Sequence, residues 1–202
     1  MGSENKKKPK PKDFYFQSSN RLMRTTYQRW QKLFLFSFGV ALASSFMMQW
    51  LAGDFWLGDE KFSILGLELF YSKKDVIKVL TEIQLPAKLA LNYQLIFDFA
   101  FMAGVYPAIA SICMMARERN MKNGIRNFLF ALAMLQPVAW AFDVTENIYL
   151  LSWLDKPEIG DEFSSYHNIV AAKWIIALAG AVSGIGLLLF RKSPAGRKSV
   201  SQ

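Results

Sequence analysis

The pattern of apolar and polar positions divides this chain into four long apolar runs joined by shorter polar stretches. The runs cover residues 33–56, 89–116, 128–154 and 169–190. Each can supply the roughly 20 residues needed to cross a bilayer core of about 30 Å. None carries the polar stripe that a soluble four-helix bundle presents to water. The pattern therefore predicts an all-α, polytopic membrane protein built as a four-transmembrane-helix bundle.

A shorter pattern in the loop after the first run predicts one further helix. Residues 72–75 (Ser-Lys-Lys-Asp) have the spacing of a capping box, and apolar residues follow them at helical intervals. We expect an amphipathic helix over residues 72–84 on the outer face, either covering loop backbone or acting as a gate over polar groups below it. The apolar stretch before it, residues 62–71, is expected to form a short hairpin or a surface-lying segment.

The composition indicates a single membrane domain with basic ends. The chain has 202 residues, of which 52% are apolar, and its one cysteine, Cys113, cannot form an intrachain disulfide. We expect a disordered basic tail over residues 1–18, the membrane domain over residues 19–190 and a second basic tail over residues 191–202. The tails should contact anionic lipid head groups. A nucleic-acid partner is not expected, because no binding fold or interleaved aromatic residues accompany the basic runs.

The distribution of basic residues predicts how the chain crosses the membrane. Seventeen of the 24 Lys and Arg residues lie before the first run, between the second and third runs, or after the fourth. Only six lie in the other two loops, where nine acidic residues dilute them. By the positive-inside rule, both termini should lie in the cytoplasm, and the chain should be a multi-pass protein of the cell membrane.

Five polar side chains interrupt the last three apolar runs and form the candidate site. Asp143, Glu146 and Asn147 share one side of the third helix, because residues three and four apart lie on the same face. Asp98 lies in the second run and Lys173 in the fourth. With helices that alternate in direction, all four ionisable groups fall in the outer half of the bilayer. Ionisable groups at that depth usually face the protein interior and have partners.

The excess of acid over base in this set predicts a cationic ligand. If all groups are ionised, three carboxylates and one lysine carry a net charge of −2, which a low-dielectric site does not hold unrelieved. We expect a pocket that binds or transports a proton, an inorganic cation or an amine-bearing small ligand. A carrier with four helices would need to dimerise, which favours a homo-oligomer. Neither a metal nor a cofactor is expected, because the one histidine, His167, lies at a helix boundary away from Lys173 and no Gly-rich phosphate loop is present.

Two other functions fit the same residues. The buried charges could serve only to fix helix packing, with Lys173 paired to Asp143 or Glu146. Alternatively, a carboxylate could act as general acid or base on a lipid or isoprenoid, with Tyr93 or Tyr106 assisting. The residues by themselves leave the three functions open.

The order of these motifs along the chain is itself a pattern. A Ser-led amphipathic helix precedes an Asp and a Tyr-Pro in the second apolar helix, Asp-x-x-Glu-Asn near the end of the third, and a Lys early in the fourth. These positions are Ser72, Asp98, Tyr106, Pro107, Asp143, Glu146, Asn147 and Lys173. The pattern resembles a family of four-helix integral membrane proteins, whose members often have Gly-Arg where this chain has Ala87-Lys88. The resemblance implies a shared architecture and site, and it implies no particular activity.

Overall fold

The computed structural model describes residues 11–190, with side chains from residue 25 onward. The α-helices in this range are α1 (Pro11–Leu51), α2 (Lys73–Glu82), α3 (Leu85–Arg119), α4 (Asn123–Asp155) and α5 (Glu162–Leu189). Between α1 and α2 lie a 3₁₀ turn (Ala52–Asp54), a hairpin of β1 (Trp56–Leu57) and β2 (Glu60–Lys61), and a π-helical turn (Gly66–Phe70). Residues 1–10 and 191–202 of the predicted tails lie outside the described residues.

Four of these helices, α1, α3, α4 and α5, are long and apolar enough to cross a membrane. This finding confirms the all-α, four-helix membrane architecture. The helices extend past the predicted apolar runs at most of their ends, because basic and polar residues continue each helix beyond its apolar part. Pro86 lies in the first turn of α3, where its missing N–H would have no partner in any case.

Helix α1 begins earlier than the composition suggests. It starts at Pro11, so that residues 11–18, for which the polar composition predicts disorder, belong to its first turns. A polar segment that continues an apolar helix needs no core of its own, and proline is tolerated at a helix start. Polarity alone therefore does not mark the beginning of this helix.

Helix α3 lies at the centre of the bundle and packs against α1, α4 and α5. It meets α1 most closely at Gly104, where a β-carbon would lie 2.5 Å from the backbone nitrogen of Ala41. Helix α5 meets α3 and α4 closely at Gly180 and Gly184. Small residues permit such close approach of membrane helices. Within the described range, α1 has no comparable packing against α5, so these two helices flank a common face of α3.

A core of aromatic and aliphatic residues closes the end of the bundle that carries residues 52–84, which we call the loop end. The predicted amphipathic helix is confirmed here as α2, and its buried stripe of Val76, Val79 and Leu80 joins this core. Ser72 and Asp75 form the expected capping box, with each side chain bonded to the other's backbone N–H. The hydrogen bonds from Ser72 lower the pKa of Asp75.

The segment before α2 differs from its predicted form. The hairpin precedes residues 62–71, and Gly58 adopts a φ of 61° in its turn. The Gly66–Phe70 turn is buried at Leu67 instead of lying on the surface. The Tyr166 hydroxyl donates a hydrogen bond to the Leu67 carbonyl at 3.3 Å, and further contacts with α5 hold the turn inward. The turn, more than α2, is the part of this loop that reaches the candidate site.

Candidate functional site

Three helices bring the predicted polar residues to one level of the bundle. Asp98 lies in α3, Asp143, Glu146 and Asn147 in α4, and Lys173 in α5. At 3.6 residues per turn, each lies about two to three and a half turns from the loop end of its helix. Because α3 and α5 run away from the loop end and α4 runs towards it, these positions meet inside the bundle.

Lys173 is 5% exposed, and three carboxylates surround its ammonium group. Its Nζ lies 2.5 Å from Asp143 Oδ1, 2.5 Å from Glu146 Oε2 and 3.6 Å from Glu68 Oε2. The Asp143 contact is a hydrogen bond, and the contacts with Glu146 and Glu68 are ion pairs. We call Lys173, Glu68, Asp143 and Glu146 the lysine network. It joins α4, α5 and the Gly66–Phe70 turn.

Glu68 is the member of the lysine network that sequence reasoning missed, because it lies outside the apolar helices among the acids of a polar loop. In the structure it is buried, and its Oε2 accepts a hydrogen bond from Trp174 Nε1 at 3.2 Å. Burial raises the pKa of Glu68, and the Lys173 ammonium opposes that shift. Glu68 is the one acidic residue in the apolar stretch 62–71. This isolated position could have identified it from the sequence as a candidate site residue.

Glu146 is the most enclosed carboxylate of the lysine network. Its side chain is 0% exposed, and Oε1 has no hydrogen-bond partner among the residues that the structure describes. Asp143, by contrast, uses both oxygens, because Oδ1 contacts Lys173 and Oδ2 accepts a hydrogen bond from the Tyr106 hydroxyl at 2.7 Å. Burying an unpartnered polar atom costs roughly 1–3 kcal/mol. Glu146 Oε1 therefore marks acceptor capacity that this part of the protein does not fill.

Asp98 is the acidic residue that Lys173 does not reach. Asn147 Nδ2 donates hydrogen bonds to Asp98 Oδ2 at 2.7 Å and to the Leu95 carbonyl at 3.3 Å. No ion pair within 4.0 Å joins Asp98 to a Lys or Arg in the part of the chain whose side chains are described. Among the described side chains, the carboxylate of Asp98 therefore has a neutral hydrogen-bond partner and no counter-charge within 4.0 Å.

A crevice of about 330 Å³ lies beside Asp98, between α1, α3 and α5. Its polar end is lined by Glu68, Asp98, Tyr106, Asp143 and Lys173. Its other end is lined by Ile109, Ala177, Leu178 and Ala181, and Met48, Phe101, Val105 and Trp174 add apolar side chains beside the polar residues. Along α3, the distance from Asp98 to Ile109 is about 16 Å at 1.5 Å per residue. The crevice is therefore amphipathic along its length, with the charged groups nearer the loop end.

The two candidate tyrosines lie in different surroundings. Tyr106 is buried, and its ring lines both the crevice and a second, largely apolar cavity of about 490 Å³ between α1, α3 and α4. It therefore forms part of the wall between these cavities. Tyr93 is 53% exposed and lies on another face of α3 than Asp98, because five residues correspond to about 1.4 helical turns. The structure brings Tyr106 to the site and leaves Tyr93 away from it.

The acidic groups do not form a metal-ligand set in residues 11–190, where no three His, Cys, Asp or Glu side chains come together in a way that could hold a metal ion. Glu68, Asp143 and Glu146 are grouped around the Lys173 ammonium. His167 lies off this group, with Nε2 at 3.2 Å from the Leu69 carbonyl oxygen.

Comparison with known proteins adds no relative to this description. No family model, curated protein or solved structure matches the chain. The resemblance to a family of four-helix membrane proteins stays a prediction. The function is therefore inferred from the contacts, charges and shape of the site.

Proposed function

We propose that this integral membrane protein binds a cation or an amine-bearing small ligand at Asp98, in the polar end of the crevice. The observation that carries this proposal is that no described Lys or Arg lies within 4.0 Å of the Asp98 carboxylate. The residue lines the crevice, and its partner is the neutral amide of Asn147. The ion pairs of Lys173 are with three other carboxylates, and none within 4.0 Å joins it to Asp98. A positively charged ligand would supply the counter-charge.

The charge balance of the whole site supports the same proposal. With Glu68, Asp98, Asp143 and Glu146 all ionised against Lys173, the site would carry a net charge of −3. A low-dielectric interior does not hold such a charge unrelieved, so protons or a bound cation must reduce it. This net charge is more negative than the −2 expected from the helices alone, because Glu68 adds a fourth carboxylate to the site.

The lysine network favours a structural role for its own members. It joins two membrane helices and the Gly66–Phe70 turn, and it is enclosed by protein. Removing one partner of a buried ion pair is strongly destabilising, because the other charge is left uncompensated. We therefore assign Lys173, Asp143 and Glu146 to holding the helices together and Asp98 to the ligand.

The orientation in the membrane belongs to the same proposal. The basic residues of the termini and of the α3–α4 connection support cytoplasmic termini, with the basic tails near anionic head groups. The polar end of the crevice then lies in the outer half of the membrane. Transport of the ligand, beyond binding, would require a homo-oligomer, because four helices are few for alternating access.

Thermal unfolding of the detergent-purified chain tests the proposal, with ethylammonium chloride and sodium chloride as probes. A ligand that binds only the folded state raises the unfolding midpoint by mass action, by the equivalent of roughly 2.7 kcal/mol at 100 times its Kd. We expect ethylammonium to raise the midpoint of the wild type and to have no such effect on Asp98→Asn. The matched control is Asp155→Asn, at the exposed end of α4, which should respond as the wild type does.

Two results would contradict binding at Asp98. One is the absence of any rise in the wild type with either salt. The other is an equal rise in Asp98→Asn, which would trace the effect to general salt stabilisation. A rise with sodium as well as ethylammonium, lost in Asp98→Asn, would broaden the ligand class to small cations.

A further inference from the structure

We propose that the ligand at Asp98 is a single-chain amphiphilic amine that reaches the crevice sideways from the bilayer, between α1 and α5. This inference rests on the proposed function and adds the class of ligand and its route. Three features of the described residues carry it: the amphipathic lining of the crevice, its closure at the loop end and its opening towards the side of the bundle.

The lining changes character along the length of the crevice. Asp98 and the edge of the lysine network lie at one end, and aliphatic residues of α3 and α5 lie beyond them. On α5, Lys173 and Ala181 are both lining residues, and about 12 Å of helix separates them at 1.5 Å per residue. A small hydrated cation would need only the polar end. The apolar end fits a hydrocarbon chain attached to the charged group.

The loop end of the bundle is closed above the charged groups. Leu67 and Glu68 of the Gly66–Phe70 turn are buried. Three side chains of α5 hold this turn: Tyr166 bonds the Leu67 carbonyl, His167 contacts the Leu69 carbonyl, and Trp174 bonds Glu68. Direct access from the aqueous side of the loop end would require the turn to be displaced.

The side of the bundle offers the open route. Leu178 lines the crevice and is nevertheless 54% exposed, so the crevice meets the outer surface of α5 there. Met48 lines the wall on α1, and α1 has no extensive packing against α5 in the described range. This surface belongs to two apolar spans and faces lipid in a membrane. A molecule dissolved in the bilayer therefore reaches the crevice without crossing the loop end.

The size and chemistry of the crevice narrow the ligand further. Its volume of about 330 Å³ is near the lower end of small-molecule sites, which run from about 300 to 1,000 Å³. That volume suits a small head with one chain better than a two-chain phospholipid. The head should be an ammonium group, because no described Lys or Arg lies within 4.0 Å of Asp98.

The test uses the full chain in phosphatidylcholine nanodiscs with dodecylamine, ethylammonium and 1-dodecanol as probes of chain and charge. Because a chain concentrates its head group in the membrane, dodecylamine should raise the unfolding midpoint at a total concentration at least about tenfold below that required for ethylammonium. Dodecanol, which has the chain without the charge, should give no rise. Asp98→Asn should lose the response to both amines.

Two adjacent positions on α5 separate the crevice from the lipid-facing surface. Ala181 lines the apolar end of the crevice, and Ala181→Trp should fill it and abolish the dodecylamine response while the ethylammonium response remains. That remaining response also shows that the variant is folded. Val182 is 69% exposed, and Val182→Trp should keep both responses.

The outcomes distinguish this inference from the function on which it rests. If ethylammonium acts through Asp98 but dodecylamine does not, or if Ala181→Trp keeps its dodecylamine response, the site takes a small cation and the amphiphile is excluded. A dodecanol response equal to that of dodecylamine also excludes it, because the charge would then play no part. If neither amine raises the midpoint of the wild type, this inference fails. If sodium chloride also gives no rise, the proposed function fails with it.

Discussion

The lysine network and Asp98 lie at nearly the same level of the bundle and use the same kinds of side chain, but their charges are balanced differently. In the lysine network, an internal ammonium serves three carboxylates. Asp98 accepts a hydrogen bond from the amide of Asn147 and lines the crevice. The difference shows that position along a membrane helix alone does not assign a function to a carboxylate. The available counter-charge and the accessible space separate a structural acid from a binding one.

The largest expected effect comes from removing the lysine of the network. Lys173→Met keeps an unbranched side chain but leaves three carboxylates without their ammonium. Breaking a buried ion pair in this way typically costs about 3–5 kcal/mol. We expect Lys173→Met to unfold at a much lower temperature in detergent, or to give little monodisperse protein in size-exclusion chromatography. Lys156→Met, at an exposed position after α4, is the matched control and should behave as the wild type does.

Asp98→Asn tests, by the same measurement, whether Asp98 contributes to stability as the lysine network does. The amide keeps the size of the side chain and can still pair with Asn147, and no ion pair is lost. Without ligand, its unfolding midpoint should therefore stay close to that of the wild type, within about 1 kcal/mol. If Asp98→Asn were as unstable as Lys173→Met, Asp98 would belong to the structural network and would not be a separate ligand-binding residue.

A smaller effect is expected from the Tyr106 hydroxyl. Tyr106→Phe keeps the ring between the two cavities and removes the hydrogen bond to Asp143. Hydrogen bonds between membrane helices average about 0.6 kcal/mol and reach about 1.7 kcal/mol, and we expect a loss of stability in that range. Tyr93→Phe should have no measurable effect, because that side chain lies half exposed on another face. If both variants lowered the thermal unfolding midpoint equally, the hydrogen bond from Tyr106 to Asp143 would have no special role in the site.

The smallest effect concerns pH and Glu68, which belongs to the lysine network and also lines the crevice. Its pKa in the folded chain is raised above the ordinary value of 4.5, chiefly by burial. The protonated side chain therefore favours the folded state below that value, and this contribution is lost as pH rises through the raised pKa. The wild type should be more stable relative to Glu68→Gln at pH 4 than at pH 8. Unfolding midpoints of both proteins across this range give the difference directly.

If the stability of the wild type relative to Glu68→Gln instead grew with rising pH, the raised pKa of Glu68 would be wrong. The attraction of the Lys173 ammonium, at 3.6 Å, would then affect the pKa more than burial does. Glu68 would then be held as a carboxylate, as firmly a part of the ion-paired network as Asp143.

The sequence alone determined the membrane helices, α2 and the positions of the polar residues along their helices. Each of these features depends on a short stretch of chain. The length of an apolar run decides whether a helix can span the bilayer, and the Ser72–Asp75 spacing decides where α2 begins. The spacing of Asp143, Glu146 and Asn147 places them on one face of a helix, whatever that helix packs against.

Only the tertiary structure decided which groups meet. The sequence left Lys173 free to pair with either Asp143 or Glu146, and the rotation of α4 against α5 lets it contact both. Glu68 reaches the network because its loop folds back against α5, a long-range arrangement that no local periodicity records. The crevice likewise exists because α1 and α5 both pack on α3 without closing on each other. Helix identity is encoded within each segment, whereas charge pairing and open space depend on the relative placement of several segments.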